Sequence, residues 1–392
     1  MKRVICTFFC FLILVLVPIQ VAAENNMDVN YNSDGKIESD NSSVSTSAKA
    51  FLLYCPDNNM VVASENADEK LPMASTTKIM SALLALEYAS SDNKTVEFTH
   101  DMIAEGSSMY LKEGEKVTLY DLAVGMMMQS GNDAAKAAAI AVSGSEEKFV
   151  DLMNERAKEY GMSNTSFATV NGLDDENHYS TAYDMSVLLA NALKNDDFAR
   201  ITSQKSMTVD FIEPDDKSVK YPNHNRLLSL YDACISGKTG YTKKAGRCLV
   251  TAARRDGVTL ICTTLNDGND WKDHISLYDY GFDFLTSVDT SKEEYCVDTV
   301  GASDSILRLC PSDNEPLVVP RDQADMLKTE VYLPKFVYPS INKGDVIGCI
   351  EYSVDGKIIK KVDLIAKNQV LPAKKQKSIF EKIKEFLHWN TN

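Results

Sequence analysis

The sequence predicts an α+β protein: an antiparallel sheet flanked by helices, followed by a small all-β domain. Three observations predict it. Strand-like runs occur in two groups far apart in the chain, "AKAFLLYC…MVVASE" and "DACISGKTGY…GRCLVTAARRDGVTLICTTLN". Between them, residues 96–210 are mostly helical in pattern, with apolar residues at 3–4 spacing. From about Lys292 to Ala366, short β-type runs alternate with Gly, Asp and Pro.

Each element has a local reason. Pro56-Asp57-Asn58-Asn59 is the turn of a first hairpin and Asp256-Gly257 that of a later one. Such turns are too tight for crossovers, so a sheet joining the two groups must be antiparallel. "LPMASTTKIMSALLALEYA" is an apolar helix after its proline. "LYDLAVGMMMQ" and "NDAAKAAAIAV" bracket a sharp loop. "EEKFVDLMNERAKEYG" is amphipathic and stops at Gly161, and "TAYDMSVLLANALKN" is a further helix. "WKDHISLYDYGFDFL" closes the segment as a helix.

The ends read differently. Residues 1–23 have a basic start (Lys2, Arg3), an apolar run and the small residues Val21-Ala22-Ala23, the pattern of a secretory signal peptide. Residues 24–46, rich in Asn, Asp and Ser, are expected to be a flexible tether. Residues 47–287 form the main domain and 288–370 the small β domain. Residues 371–392 form a basic amphipathic helix, with Ile379, Phe380, Ile383, Phe386 and Leu387 on one face among lysines. That helix is expected to lie on an anionic membrane surface.

Composition excludes some functions. The 392 residues suffice for a large core and more than one domain. A net charge of −15 argues against a general nucleic-acid binder, whose phosphate contacts need basic surface. Nine cysteines are present, and Cys6 and Cys10 leave with the signal peptide. Those remaining are odd in number and contain no C-x-x-C, so neither a disulfide framework nor a zinc site is expected. Most are read as small buried hydrophobes, with a single bridge left open. The five histidines are read as surface or capping residues.

Chemistry concentrates in three short words. Ser75 and Lys78 are three residues apart at the start of the apolar helix. Ser-x-x-Lys also occurs at Ser33, Ser91, Ser145 and Ser340, so alone it carries little. Ser130-Gly131-Asn132 fills the break between two apolar helical runs, where loops held by rigid helices often carry function; its plainer reading is an N-cap. Lys238-Thr239-Gly240 lies on a strand, where a glycine lets a ligand approach the backbone; its plainer reading is an edge strand with a protective lysine.

Together and in this order, the three resemble the penicillin-recognising serine enzymes, which share Ser-x-x-Lys, Ser-x-Asn and Lys-Thr-Gly. "LPMASTTKIMSALLALE", "MMMQSGNDAA", "FATVNGLDDENHYSTAYDM" and "SGKTGYTKKAGRCLVTAAR" are similar to the low-molecular-mass D-alanyl-D-alanine carboxypeptidases, serine peptidases of family S11. The resemblance implies a serine β-lactamase/D,D-peptidase-like fold for the main domain. It also implies peptidoglycan stem peptides ending in D-Ala-D-Ala as substrate, β-lactams as covalent inhibitors, no metal and no cofactor. "VYLPKFVYPSINKGDVIG" resembles the C-terminal module of that family, which commonly docks on the outer face of the cytoplasmic membrane through its tail.

Roles follow from the same resemblance. Ser75 is the nucleophile, Lys78 its base and Ser130 the proton relay. Asn132 orients the substrate amide and the Lys78 amine. Lys238 and Thr239 hold the terminal carboxylate beside Gly240, and the backbone N–H groups of Ser75 and Tyr241 form the oxyanion hole. Desolvation and the charge of Lys238 are expected to lower the Lys78 pKa. Two departures stand out. Asn171 replaces a histidine of many relatives, and "NDGNDWKDH" offers Lys272 where some relatives use a carboxylate-binding arginine. The alternatives are a class A-like β-lactamase and a non-catalytic β-lactam or peptidoglycan sensor.

Overall fold

The structure, a computed structural model, describes residues 44–290 and 294–373. The expected signal peptide, almost all of the tether and residues 374–392 of the expected C-terminal helix lie outside the described residues; residues 371–373, assigned to that helix, are not helical, with Pro372 bridging Ala302 instead.

In chain order, the strands β1 (Ala48–Cys55) and β2 (Met60–Glu65) are followed by α1 (Lys78–Ser91). Next come β3 (Thr95–Glu97), β4 (Lys116–Thr118), α2 (Leu119–Gln129), α3 (Asn132–Ser143), α4 (Glu146–Glu159), α5 (Ala182–Ala192) and α6 (Asp196–Thr202). The small hairpin β5 (Ser206–Asp210) and β6 (Ser218–Pro222) precedes α7 (Leu227–Leu230). Then β7 (Cys234–Thr242), β8 (Gly246–Arg255), β9 (Val258–Asp267) and α8 (Asp270–Phe284) complete the main domain.

Its sheet has the order β2-β1-β9-β8-β7, antiparallel throughout, so the two distant strand groups do join. Alternation along each strand feeds two cores. Ala50, Leu52 and Tyr54 of β1, with Val250 and Ala252 of β8, face α1, α2, α3 and α5. Phe51, Leu53 and Cys55, with Leu249 and Ala253, face Leu277, Tyr278 and Phe282 of α8. Residues Lys78 to Leu86 of α1 are all buried, as befits a helix apolar nearly all round. Thr118 and Asp121 cap α2 reciprocally, and Ser145 and Thr181 cap α4 and α5, which sets where these helices begin.

The helical block is less continuous than its pattern suggests. Residues 103–115 and 162–181 are largely irregular, and the β5–β6 hairpin was not anticipated. Both segments are polar or glycine-punctuated, and it is tertiary packing that orders them.

After α8 come β10 (Leu285–Val288), β11 (Tyr295–Thr299), β12 (Ile306–Pro311), β13 (Leu317–Pro320), β14 (Lys328–Tyr332), β15 (Phe336–Val337), β16 (Val346–Val354) and β17 (Lys357–Ala366). Six of these form the sheet β14-β16-β17-β12-β11-β15 around its own core of Leu307, Leu309, Ile350 and Leu364. The remaining two, β10 and β13, pair across the domain junction. Val318 of β13 packs in the α8-side core, and Arg321 donates to the carbonyls of Phe282, Asp283 and Leu285.

All seven described cysteines are free and lie in strands. Cys55, Cys234, Cys248 and Cys262 are buried, as read from the sequence. Cys296 is exposed and Cys310 and Cys349 are half-buried, because their strands belong to a thin sheet with one open face.

Candidate active site

Ser75 does not sit inside α1. It lies in the 3-10 turn Ala74–Thr77, and α1 begins at Lys78. The turn is entered through Ala74 at φ +47°, a left-handed conformation unusual for alanine. Lys78 Nζ lies 3.0 Å from Ser75 Oγ and donates to the backbone carbonyl of Asn171 at 2.6 Å. The lysine is fully buried. Its pKa is held well below the ordinary value, first by desolvation and then by the nearby Lys238 charge, against a smaller opposing effect of Asp133.

Ser130 closes α2 in the left-handed region, φ +57°, a backbone turn that carries the chain directly into α3. The plainer reading as an N-cap fails: Gly131 occupies that position, with no side-chain cap. Lys238 Nζ donates to Ser130 Oγ at 3.0 Å and to the Thr239 carbonyl. β7 is an edge strand, yet Lys238 is only 1% exposed and so does not guard that edge. Burial pushes its pKa down to about 7.

The three words thus meet in space. Ser75, Ser130, Thr239, Gly240 and Tyr241 line one cleft of ≈600 Å³. One expectation needs correction, and Gly240 has a second reason to be glycine. Asn132 Nδ2 donates to the Glu105 carbonyl, and its buried Oδ1 has no partner, so Asn132 does not hold the Lys78 amine. Asn132 is the first residue of α3, and its amide is anchored on the Glu105 carbonyl, while the Lys78 amine bonds Ser75 and the Asn171 carbonyl. Gly240 gives close approach to the nucleophile's own turn: a Cβ there would lie 3.0 Å from Ser75 N and Thr76 N.

Other residues of the cleft escaped sequence reasoning. Ser107, His224, Arg226, Arg247, Asp270 and Trp271 also line it. Arg247 stands directly across from Tyr241 on β8 and grips Asp270 through Nε and Nη2 at 3.0 and 2.6 Å. Lys272 is exposed and does not line the cleft. Arg247 reaches the cleft from β8, the neighbour of the strand that leads to Lys272. The Asn171 carbonyl had no signal, since every residue carries one. Of the histidines, His178 and His274 are buried, contrary to a surface role; His178 is enclosed by a hydroxyl and two backbone N–H groups and His274 by two hydroxyls, partners that their sequence context does not reveal.

A serine beside a buried amine, with a second lysine–serine pair opposite, is the arrangement of a serine acyl-transfer enzyme. The family described as D-alanyl-D-alanine carboxypeptidase matches residues 36–269. This chain belongs to that family. Residues 290–371 match the C-terminal domain of penicillin-binding protein 5. The chain is 35% identical over 346 residues to the D-alanyl-D-alanine carboxypeptidase DacC of Escherichia coli, covering 83% of this chain and 85% of that one. It is 29% identical over 387 residues to DacF of Bacillus subtilis, covering 95% and 96%. Penicillin binding protein 5 from Haemophilus influenzae superposes with a TM-score of 0.67 at 27% identity, over 84% of this chain and 99% of that chain. Family membership makes the chain a serine-type hydrolase and gives both parts of its fold, the helix-flanked sheet and the β domain.

Proposed function

We propose that this chain removes the terminal D-alanine from peptidoglycan stem peptides through a Ser75 acyl-enzyme, and that β-lactams trap the same serine. The observation that carries the reading is the buried Lys78 amine 3.0 Å from Ser75 Oγ. An amine biased toward neutrality accepts the serine proton as Ser75 attacks the penultimate D-Ala carbonyl. The backbone N–H groups of Ser75 and Tyr241 take the developing oxyanion, where losing one donor costs about 3–4 kcal/mol. Ser130, bonded to Lys238, hands a proton to the departing amine nitrogen. Lys238 and Thr239 bind the terminal carboxylate, joined by the half-exposed guanidinium of Arg247. Water then hydrolyses the acyl-enzyme. Asn132 Oδ1, buried without a partner, is a ready acceptor for the substrate amide N–H.

We also propose that the chain works outside the cytoplasmic membrane and is peripheral to it. The support is the signal-like pattern of residues 1–23 and the basic amphipathic pattern of 371–392. Among the described residues no helix is long and apolar enough to cross a membrane.

The test incubates the protein with a fluorescent penicillin and with a D-Ala-D-Ala peptide, beside Ser75→Ala. Labelling and D-alanine release are expected in the parent and neither in the variant. Labelling that survives the substitution would remove Ser75 from its role. Rapid penicillin turnover would favour a β-lactamase, and labelling without D-alanine release a sensor. Deleting residues 374–392 should shift the protein from the membrane fraction to the soluble one.

A further inference from the structure

We infer that His178 is a positioning residue, which fixes the turn carrying Ser75 through a hydrogen-bond chain running from the 168–169 backbone to the Ala74 carbonyl. The direction of every bond follows from the donors. The backbone N–H groups of Ala168 and Thr169 point at His178 Nδ1, at 3.0 and 3.3 Å. An N–H can only donate, so Nδ1 carries no proton. The neutral ring therefore keeps its proton on Nε2, which faces Thr77 Oγ1 at 2.7 Å. Thr77 in turn donates to the Ala74 carbonyl at 2.7 Å, leaving its oxygen free to accept from Nε2–H.

Both ends of this chain matter to the reaction. Ala74 is the left-handed residue immediately before Ser75, a conformation that persists only where its surroundings hold it. Its carbonyl is confined on the other side by Gly172, where a Cβ would lie 2.0 Å away. The 168–172 segment is also the one whose Asn171 carbonyl receives Lys78. His178 thus ties the strand of backbone that holds the base to the turn that holds the nucleophile. It touches neither Ser75 nor the cleft, and it sets their spacing.

The ring is suited to this only while neutral. It is 3% exposed and lies against the edge of Phe167. Asp175 and Asp174 favour its charged form, while burial, first, and Lys78 oppose it, holding its pKa to about 4. A doubly protonated ring cannot accept from Ala168 or Thr169, and the chain would break.

The inference rests on the acylation of Ser75 proposed above, and its test keeps the two apart. The full chain is compared with His178→Ala, Thr77→Val, the double variant and Thr77→Ser. Readouts are penicillin labelling rate, kcat and KM for a D-Ala-D-Ala peptide, and Tm. We expect each of His178→Ala and Thr77→Val to lower kcat and labelling rate tenfold or more with KM within twofold. The double variant should lose little beyond either single one, since both cut the same chain, and Thr77→Ser should recover most of the rate. The ¹⁵N spectrum of the histidine rings, assigned by difference against His178→Gln, should show Nε2 protonated and Nδ1 bare from pH 6 to 8. A parent that never acylates would sink the proposed function. A parent that acylates while folded Thr77→Val keeps its rate, or a His178 ring protonated on Nδ1, would sink this inference. Should His178→Ala fail to fold, the Thr77 pair and the spectrum decide.

Discussion

Two lysines, Lys78 and Lys238, are buried behind the serines of this cleft, where an ammonium is poorly solvated. For Lys238 the folded pKa, about 7, lies below the ordinary 10.5. Between those values the unfolded chain holds the extra proton, so stability rises with pH across that window and is lowest below about 7. Lys238→Met should therefore raise stability at pH 7, on the order of 1–3 kcal/mol, flatten that rise, and abolish D-alanine release. Calorimetry from pH 6.5 to 10 beside an activity assay checks both halves. At Arg247 the expected sign is opposite. Arg247→Gln leaves the buried Asp270 carboxylate without its bidentate partner and removes a guanidinium from the cleft. We expect kcat/KM on an acid-ended peptide to fall roughly tenfold or more, the usual scale of a charged hydrogen bond, while Lys272→Ala changes little. Equal losses in the two variants would place the carboxylate elsewhere.

Individual elements are aimed by polar bonds as much as by apolar faces. α8 packs Leu277, Tyr278 and Phe282 on the sheet and is also tied to it by His274, which bonds Thr251 of β8 and Thr264 of β9. Burial alone pushes the His274 pKa down to about 3. The unfolded ring takes a proton near pH 6.5, so this residue's contribution is intact above that value and is lost as pH falls toward about 3. His178 acts with the same sign. Asp184, with a pKa raised to about 6 by burial, opposes them: its folded form gains the proton first as pH falls below about 6. His274→Leu should cost about 1–3 kcal/mol at pH 7 through the hydrogen bonds lost by Thr264 and by Thr251, which keeps the Tyr278 hydroxyl, and make the acid limb of Tm against pH shallower. An unchanged limb would mean that His274 is not what titrates there.

At the scale of the molecule, every residue that lines the cleft comes from the main domain, and the β domain is joined behind α8. The joint is the β10–β13 ladder, Val318 in the α8-side core, and Arg321 on three carbonyls at the end of α8. Arg321→Ala should lower stability by about 1–2 kcal/mol and leave penicillin labelling within about twofold of the parent. A large fall in labelling would show that the β domain reaches the cleft through α8.

What could be read from the sequence alone was whatever local spacing and pattern encode. The hairpin turns, the apolar register of α1, the two strand groups and the three short words are all properties of neighbours in the chain, and it was the resemblance of those words, taken together, to a known family that named Ser75, Lys78, Ser130 and Lys238 without coordinates. Only tertiary structure decided how those words face one another and what surrounds them. It put Lys78 on a backbone carbonyl, which no residue type announces, and brought Arg247 into the cleft from a strand to which the sequence assigned no part in the site. It also enclosed His178 and His274 among distant hydroxyls and gave Gly240's space to the turn of Ser75. The physical reason is common to all four: burial, desolvation and the direction of a hydrogen bond depend on groups far apart along the chain, and those are set only once the sheet has closed.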